Sequence, residues 1–126
     1  MKIATIIAKV LLGLVFVIFG LNGFLNFIPM KSMPTGLAGQ FLSVLLASHW
    51  AQVVSAVQIL GGLLLLANRF VPLALALLGP VIVNILLYHL LLDHNGIGVA
   101  IVVAILWFIL FFRYQKNFAG IFEMTA

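Results

Sequence analysis

The chain has 126 residues, of which 66% are hydrophobic and only 6% carry a charge. A soluble domain carries about 25% charged residues, so this sequence has too little polar surface for water and predicts a single-domain integral membrane protein. The net charge of +4 comes from scattered basic residues that are typical of membrane flanks, not of a nucleic-acid interface, and the lack of cysteine excludes disulfide and thiol chemistry.

Four apolar segments are long enough, or nearly so, to cross a bilayer, which takes roughly 20 residues. Span 1 is predicted over about residues 10–28, and its apolar run is too long for a signal peptide, so we expect it to be uncleaved. Spans 2 and 3 are predicted over 50–67 and 71–92 and are joined by the tight turn "NRFVP". Span 4 is predicted over 97–112 after the turn "DHNGIG". These runs are continuous and do not alternate, so residues 1–126 are predicted to form an all-α, four-helix transmembrane bundle.

Spans 1 and 2 are separated by a longer connection that has its own helical pattern. Its apolar residues fall on one helical face and its polar or small residues on the other, which predicts a short amphipathic helix in the membrane interface. The apolar face is Leu37, Phe41, Val44 and Leu45, and the opposite face is Gln40, Ser43 and Ala47. The alternative is that this segment lengthens span 2 at its N-terminal end.

The basic residues predict the orientation of the spans. With four spans, both termini lie on the same side as the turn between spans 2 and 3. The other side holds only Lys31. Positive charge favours the cytoplasmic side, so we expect a multi-pass protein of the cytoplasmic membrane with both termini in the cytoplasm. The basic residues on that side are Lys2, Lys9, Arg69, Arg113 and Lys116.

Strongly polar side chains within the spans are predicted to lie in the outer half of the membrane. An unpaired amide in hydrocarbon costs several kcal/mol, so these groups are expected to face one another or a cavity. In the first case they are interhelical hydrogen bonds, worth about 0.6 kcal/mol each. In the second they are candidate ligand-binding residues. They are Asn22, Asn26, Gln58, Asn84 and Tyr88.

A second polar set, His49, Gln52, His89 and Asp93, is expected at the outer face. His89 is about 140° around its helix from Asn84 and aligns with Asp93 at i+4. Histidine and carboxylate suit zinc or copper, but no spacing here demands a metal, and His49 and His89 could hold haem only near the surface. We therefore expect neither cofactor.

Catalytic motifs are not found in the sequence. No nucleophile–base pair, phosphate loop or nucleotide fingerprint is present, so no catalytic residue is predicted and the protein is not expected to be an enzyme on its own.

The glycines of spans 1 and 2 show a regular spacing. Gly13 and Gly20 are heptad-spaced, and Gly61-Gly62 lies in span 2. This pattern predicts close approach of the helices.

The segments "AKVLLGLVFVIFGLNGFLNF" and "VVSAVQILGGLLLLANRFVPLALALLGPVIVNILLYHLLLD" resemble the DoxX-like family of small four-helix membrane proteins over nearly the whole chain. The resemblance implies association with quinone-linked oxidoreductase complexes, while more distant relatives resemble membrane-protein chaperones. Many relatives carry a glutamate ahead of the Gly-Gly of span 2. Gln58 holds that place here, which removes the one intramembrane acid and argues against proton relay.

The sequence and the resemblance together favour an accessory, redox-linked membrane subunit. Its polar layer would hold a quinone or a similar amphipathic small molecule, with amides on the head and apolar walls on the tail. Its partners would be the lipid bilayer and other membrane or redox subunits, and an oligomer is compatible with the sequence. The alternatives are a scaffold or assembly factor for other membrane proteins and a lipid- or solute-handling protein.

Overall fold

In a computed structural model of the chain, residues 2–25 and 34–122 are described, and these ranges are helical with no strand. Five α-helices precede a short 3-10 helix. They are α1 (Lys2–Leu25), α2 (Gly36–Ala47), α3 (Trp50–Ala67), α4 (Val71–Leu91), α5 (Ile97–Arg113) and the 3-10 helix (Gln115–Phe122).

The observed helices agree closely with the last three predicted spans. α3 has the predicted bounds, and α4 and α5 each end one residue from the predicted position. α1 instead begins at Lys2, well before the predicted start of span 1 at residue 10. Lysine is a good helix former and its stem can lie along apolar surface, so Lys2 and Lys9 do not interrupt the helix. The predicted end of span 1 at residue 28 lies outside the described residues.

α2 is a helix separate from α3. The chain leaves α2 at Ser48 and enters α3 through His49, whose φ of 63° is left-handed. A residue in that conformation does not continue a right-handed helix, so the alternative in which this segment lengthens span 2 is wrong. Leu37 and Val44 are 70% and 65% exposed, which leaves an apolar face of α2 on the outside of the molecule.

Three helices, α1, α3 and α4, are long and apolar enough to cross a membrane. α5 has 17 residues, and the 3-10 helix after it turns away by 82°. By length and composition, the described residues therefore hold three candidate spans, or four if α5 and the 3-10 helix are taken together as one bent span. These helices indicate a multi-pass membrane protein.

The long helices contact one another in sequence around the molecule. α1 packs on α3, α3 on α4, α4 on α5, and α5 back on α1, while α2 packs on α3. The interior is almost wholly apolar and includes Leu12, Phe16, Leu65, Leu75, Leu78 and Leu110. The outer surface is also apolar, with many exposed Ile, Leu, Val and Phe side chains. An apolar exterior of this extent fits lipid as the surrounding solvent.

Glycines set the closest approach of α1 and α3. A Cβ atom added to Gly62 would lie 2.8 Å from the Gly13 carbonyl oxygen, and one added to Gly20 would lie 2.9 Å from the Ser55 carbonyl oxygen. A Cβ on Gly61 would meet Leu78 of α4 at 2.7 Å. These distances are too short for any side chain, which confirms the predicted role of Gly13, Gly20, Gly61 and Gly62 in close packing.

α4 continues through Pro80, and a hydrogen bond ties it to α5 nearby. The Trp107 indole nitrogen donates to the Leu75 carbonyl oxygen at 3.0 Å. The half-buried indole N–H therefore has a hydrogen-bond partner, as tryptophan in apolar surroundings usually does.

Candidate functional site

A cavity of about 580 Å³ lies between α2, α3 and α4. Small-molecule sites typically have volumes of about 300–1,000 Å³ and are apolar with a few polar groups, and this cavity has both properties. α2 contributes three of its lining residues, and α3 and α4 contribute five each. The lining is Phe41, Leu42, Leu45, Trp50, Ala51, Val54, Ser55, Gln58, Val81, Asn84, Ile85, Tyr88 and His89.

α2 forms one wall of this cavity because the chain reverses at Ser48 and His49. The left-handed His49 ends one helix and begins the next, so α2 is placed against α3 instead of continuing it. Phe41 of α2 then reaches α4, where its ring centroid lies 5.8 Å from that of Tyr88. The site thus depends on a helix that lies outside the four predicted spans.

Gln58 and Ser55 bring polar groups from α3 into the cavity. They are three residues apart and share one face of the helix. Ser55 is buried and Gln58 is half-buried. No residue in the described part of the chain makes a hydrogen bond with the Gln58 side chain, and its amide atoms are not sealed in the interior. Gln58 therefore offers both amide donors and its acceptor to the cavity.

The Asn84 side-chain amide forms one hydrogen bond within its own helix. Its Nδ2 donates to the Pro80 carbonyl oxygen at 2.9 Å. The Asn84 carbonyl, which can only accept, keeps its capacity for a further hydrogen bond. In the described residues Asn84 makes no cross-helix bond, so its side chain does not act as an interhelical hydrogen bond between α3 and α4.

Tyr88 and His89 occupy the end of the cavity nearest the α4–α5 turn. Their rings meet edge to face with centroids 5.1 Å apart. His89 Nδ1 lies 3.1 Å from the Asp93 main-chain oxygen. Since a carbonyl oxygen only accepts, Nδ1 donates this hydrogen bond. The expected alignment with Asp93 is present, but it uses the main chain of Asp93 instead of its carboxylate.

The turn after α4 is closed by further local hydrogen bonds. His94 Nδ1 donates to the His89 carbonyl at 3.0 Å, and the Asp93 carboxylate accepts from the Asn95 main-chain nitrogen at 3.0 Å. No group of three or more His, Cys, Asp or Glu side chains that could hold a metal occurs in the described ranges. These hydrogen bonds hold the turn together.

The other predicted outer-face residues lie outside the cavity lining. His49 Nδ1 and Gln52 Oε1 are 2.9 Å apart, and both side chains are exposed. This bond joins the first turn of α3 to the residue that precedes it. His49 and Gln52 therefore stabilise the α2–α3 junction that places the α2 wall.

Asn22, the amide of span 1 that the structure describes, is not part of the cavity. Asn22 is half-buried on α1, has an interaction of its own, and is absent from the lining. Asn26 lies outside the described residues. The structure thus brings Gln58, Asn84 and Tyr88 together with His89, but it does not add Asn22 to them.

Several lining residues are not among the candidate ligand-binding residues predicted from the sequence. Phe41 and Leu45 carry the apolar i,i+4 signal of α2, and Ser55 precedes Gln58 by one helical turn, so both signals are present in the sequence. Trp50, the first residue of α3, carries no such signal. A smaller cavity of about 260 Å³ shares Phe41, Asn84 and Tyr88 with the larger one, so these residues border two adjoining spaces.

No protein-family model, curated protein or solved structure matches this chain significantly. The similarity to DoxX-like proteins therefore remains a prediction from sequence motifs.

Proposed function

We propose that the protein is a small membrane subunit that binds an amphipathic small molecule, of the quinone class, in the cavity between α2, α3 and α4. The observation that carries this proposal is Gln58. Its amide faces a cavity of about 580 Å³ and has no partner in the described part of the chain. A ligand carbonyl or hydroxyl would give this half-buried amide a hydrogen-bond partner.

The distribution of polar and apolar walls fits a ring-shaped head group. Gln58 supplies donors for a ligand oxygen, and the Asn84 carbonyl supplies an acceptor. Phe41, Leu42 and Val54 supply apolar surface for a ring or tail. The residues proposed to contact the ligand are therefore those of α2, α3 and α4, without Asn22.

In this proposal α1, α3, α4 and α5 form a four-helix transmembrane bundle in the cytoplasmic membrane. The charge distribution supports cytoplasmic termini, since five basic residues belong to one side and only Lys31, which lies outside the described residues, to the other. The proposed role is accessory, with any electron transfer carried out by a partner redox subunit. The resemblance of the sequence motifs to those of DoxX-like proteins is the basis of this redox assignment.

A second candidate is a scaffold or assembly factor. The observation that favours it is the exposed apolar face of α2, where Leu37 and Val44 contact nothing in the molecule that would shield them from solvent. Under this hypothesis another membrane protein would cover α2, and the cavity would be an incidental gap.

Extraction of bound ligand separates these candidates. The purified protein would be extracted with organic solvent and the extract examined for quinones and related lipids by mass spectrometry. We expect a quinone-class molecule with wild type, and a strong reduction in the double variant Gln58→Leu, Asn84→Leu.

The matched control is Gln115→Leu, which changes an exposed amide in the 3-10 helix, outside the cavity lining, and should retain the ligand. An extract without any such molecule from wild type would contradict the proposal. So would equal recovery from the folded double variant.

A further inference from the structure

The ends of α1, α3 and α5 that lie away from His89 are joined through one lysine. Lys9 Nζ donates to Asn68 Oδ1 at 2.6 Å and to the Tyr114 hydroxyl at 3.3 Å. Asn68 caps the C-terminus of α3, and Tyr114 follows the last residue of α5. The half-buried Lys9 side chain therefore links α1 to the C-terminal ends of α3 and α5.

Three further cations surround this junction. Arg69 adjoins Asn68, Arg113 adjoins Tyr114, and Lys116 lies in the first turn of the 3-10 helix. The Arg113 guanidinium lies 5.5 Å from the Tyr114 ring centroid. We call Arg69, Arg113 and Lys116, together with Lys9, the basic cluster.

The basic cluster has no acidic partner in the described part of the chain. Asp93, the acidic residue described there, lies at the other end of α4 from Arg69 and is engaged by Asn95. Glu123 lies outside the described residues, and even a full ion pair with it would leave three of the four cations uncompensated. The side chains of Arg69, Arg113 and Lys116 are exposed, and they make no hydrogen bond within residues 2–25 and 34–122.

Apolar side chains border the same cluster. Phe70 follows Arg69, Phe112 precedes Arg113, and Ile121 lies in the 3-10 helix; all three are highly exposed. Cations therefore lie directly beside apolar surface, at the ends of helices that could cross a membrane. A phospholipid has the complementary arrangement, with an anionic phosphate next to apolar acyl chains.

We propose that the basic cluster binds the phosphate of an anionic phospholipid. Arg69 and Arg113 would hold the phosphate through paired N–H donors, which suit its oxygens. Phe70 and Phe112 would contact the acyl chains. Basic residues close to the ends of membrane helices attract anionic lipid at about fivefold in affinity per cation. This inference does not depend on the ligand proposed for the cavity.

The test is lipid retention measured by native mass spectrometry. Protein in detergent would be equilibrated with equal amounts of phosphatidylglycerol and phosphatidylcholine of matched acyl chains. We expect wild type to retain phosphatidylglycerol preferentially, Arg113→Gln to lower that preference about fivefold, and the triple variant Arg69→Gln, Arg113→Gln, Lys116→Gln to abolish it. Lys9 stays unchanged because it holds three segments together.

The matched control is Lys2→Gln, which removes the same charge about 10 Å further along α1 and should leave the preference nearly unchanged. Equal retention of the two lipids by wild type would overturn the proposal, and so would an effect of Lys2→Gln as large as that of Arg113→Gln. A further arm adds excess glycerol phosphate, which lacks acyl chains. Displacement of the lipid by this soluble phosphate would show a phosphate site instead of a lipid site.

Discussion

Gln58 and Asn84 carry the same amide group and satisfy it in different ways. Asn84 donates to the carbonyl of Pro80 in its own helix, whereas Gln58 has no hydrogen-bond partner in the described ranges. The difference follows from position, since Gln58 is half-buried at the cavity and Asn84 is exposed at its edge. Gln58 is therefore the residue whose role depends most on a ligand.

Replacement of Gln58 by leucine is expected to leave the ligand-free protein as stable as wild type, or slightly more stable. Removal of an unpartnered polar group removes a desolvation cost and loses no hydrogen bond. If the Gln58 amide formed a hydrogen bond with another helix, its replacement would instead lower the free energy of unfolding by about 0.6 kcal/mol. Thermal unfolding of delipidated protein in detergent measures the difference, and a clear fall in the unfolding temperature would contradict this assignment of Gln58.

Two kinds of contact hold the long helices at their observed separations. α1 and α3 approach through glycines, where Gly13 and Gly62 leave no room for a side chain. α4 and α5 are joined by the indole nitrogen of Trp107, which donates to the Leu75 carbonyl oxygen. The first contact depends on small size and the second on one directional hydrogen bond.

Gly62→Ala should destabilise the protein by about 1–3 kcal/mol, because a new methyl group would overlap the Gly13 carbonyl and Val17. The matched control is Gly98→Ala in α5, where a Cβ meets nothing within 4 Å and alanine favours the helix. Thermal unfolding should show a large decrease for the first variant and no decrease for the second. Equal unfolding temperatures would show that α1 and α3 are not this close.

At the scale of the whole molecule, the sequence predicted the long helices better than the site. α3, α4 and α5 have bounds close to those expected because continuous apolar runs end at short turns such as the one holding Asn68 and Arg69. Gln58, Asn84 and Tyr88 could be identified because polar side chains are rare in apolar spans. Helical periodicity predicted the angular position of each of these residues around its own helix. It did not fix how each helix is rotated against its neighbours.

Those rotations explain where the expected site and the observed cavity differ. Glycine contacts with α3 set the rotation of α1, and Asn22 does not reach the cavity. The reversal at His49 sets the position of α2, which brings Phe41 and Trp50 into the lining. His89 also lines the cavity although it is about 140° from Asn84 on the helix, because the space extends around that end of α4.

The number of membrane crossings can be tested because the native chain has no cysteine. A single cysteine at Asn95, in the turn before α5, should react with an impermeant maleimide applied from outside. A single cysteine at Lys116, beyond α5, should react only after the membrane is permeabilised, since α5 is proposed to cross. Labelling of both positions from the same side would show that α5 is not a span, and the cysteine-free protein gives the background.

The central claim, that the cavity binds a quinone-class ring, is tested most directly by quenching of Trp50 fluorescence. Trp50 lines the cavity and the chain has one other tryptophan, Trp107, so Trp107→Phe leaves Trp50 as the sole reporter. Titration with a short-chain benzoquinone should give saturable quenching in this background. The same titration after Gln58→Leu and Asn84→Leu should shift to at least tenfold higher concentration, the loss expected for about 1.4 kcal/mol of hydrogen bonding. Linear, unsaturable quenching that is identical in both proteins would contradict the claim.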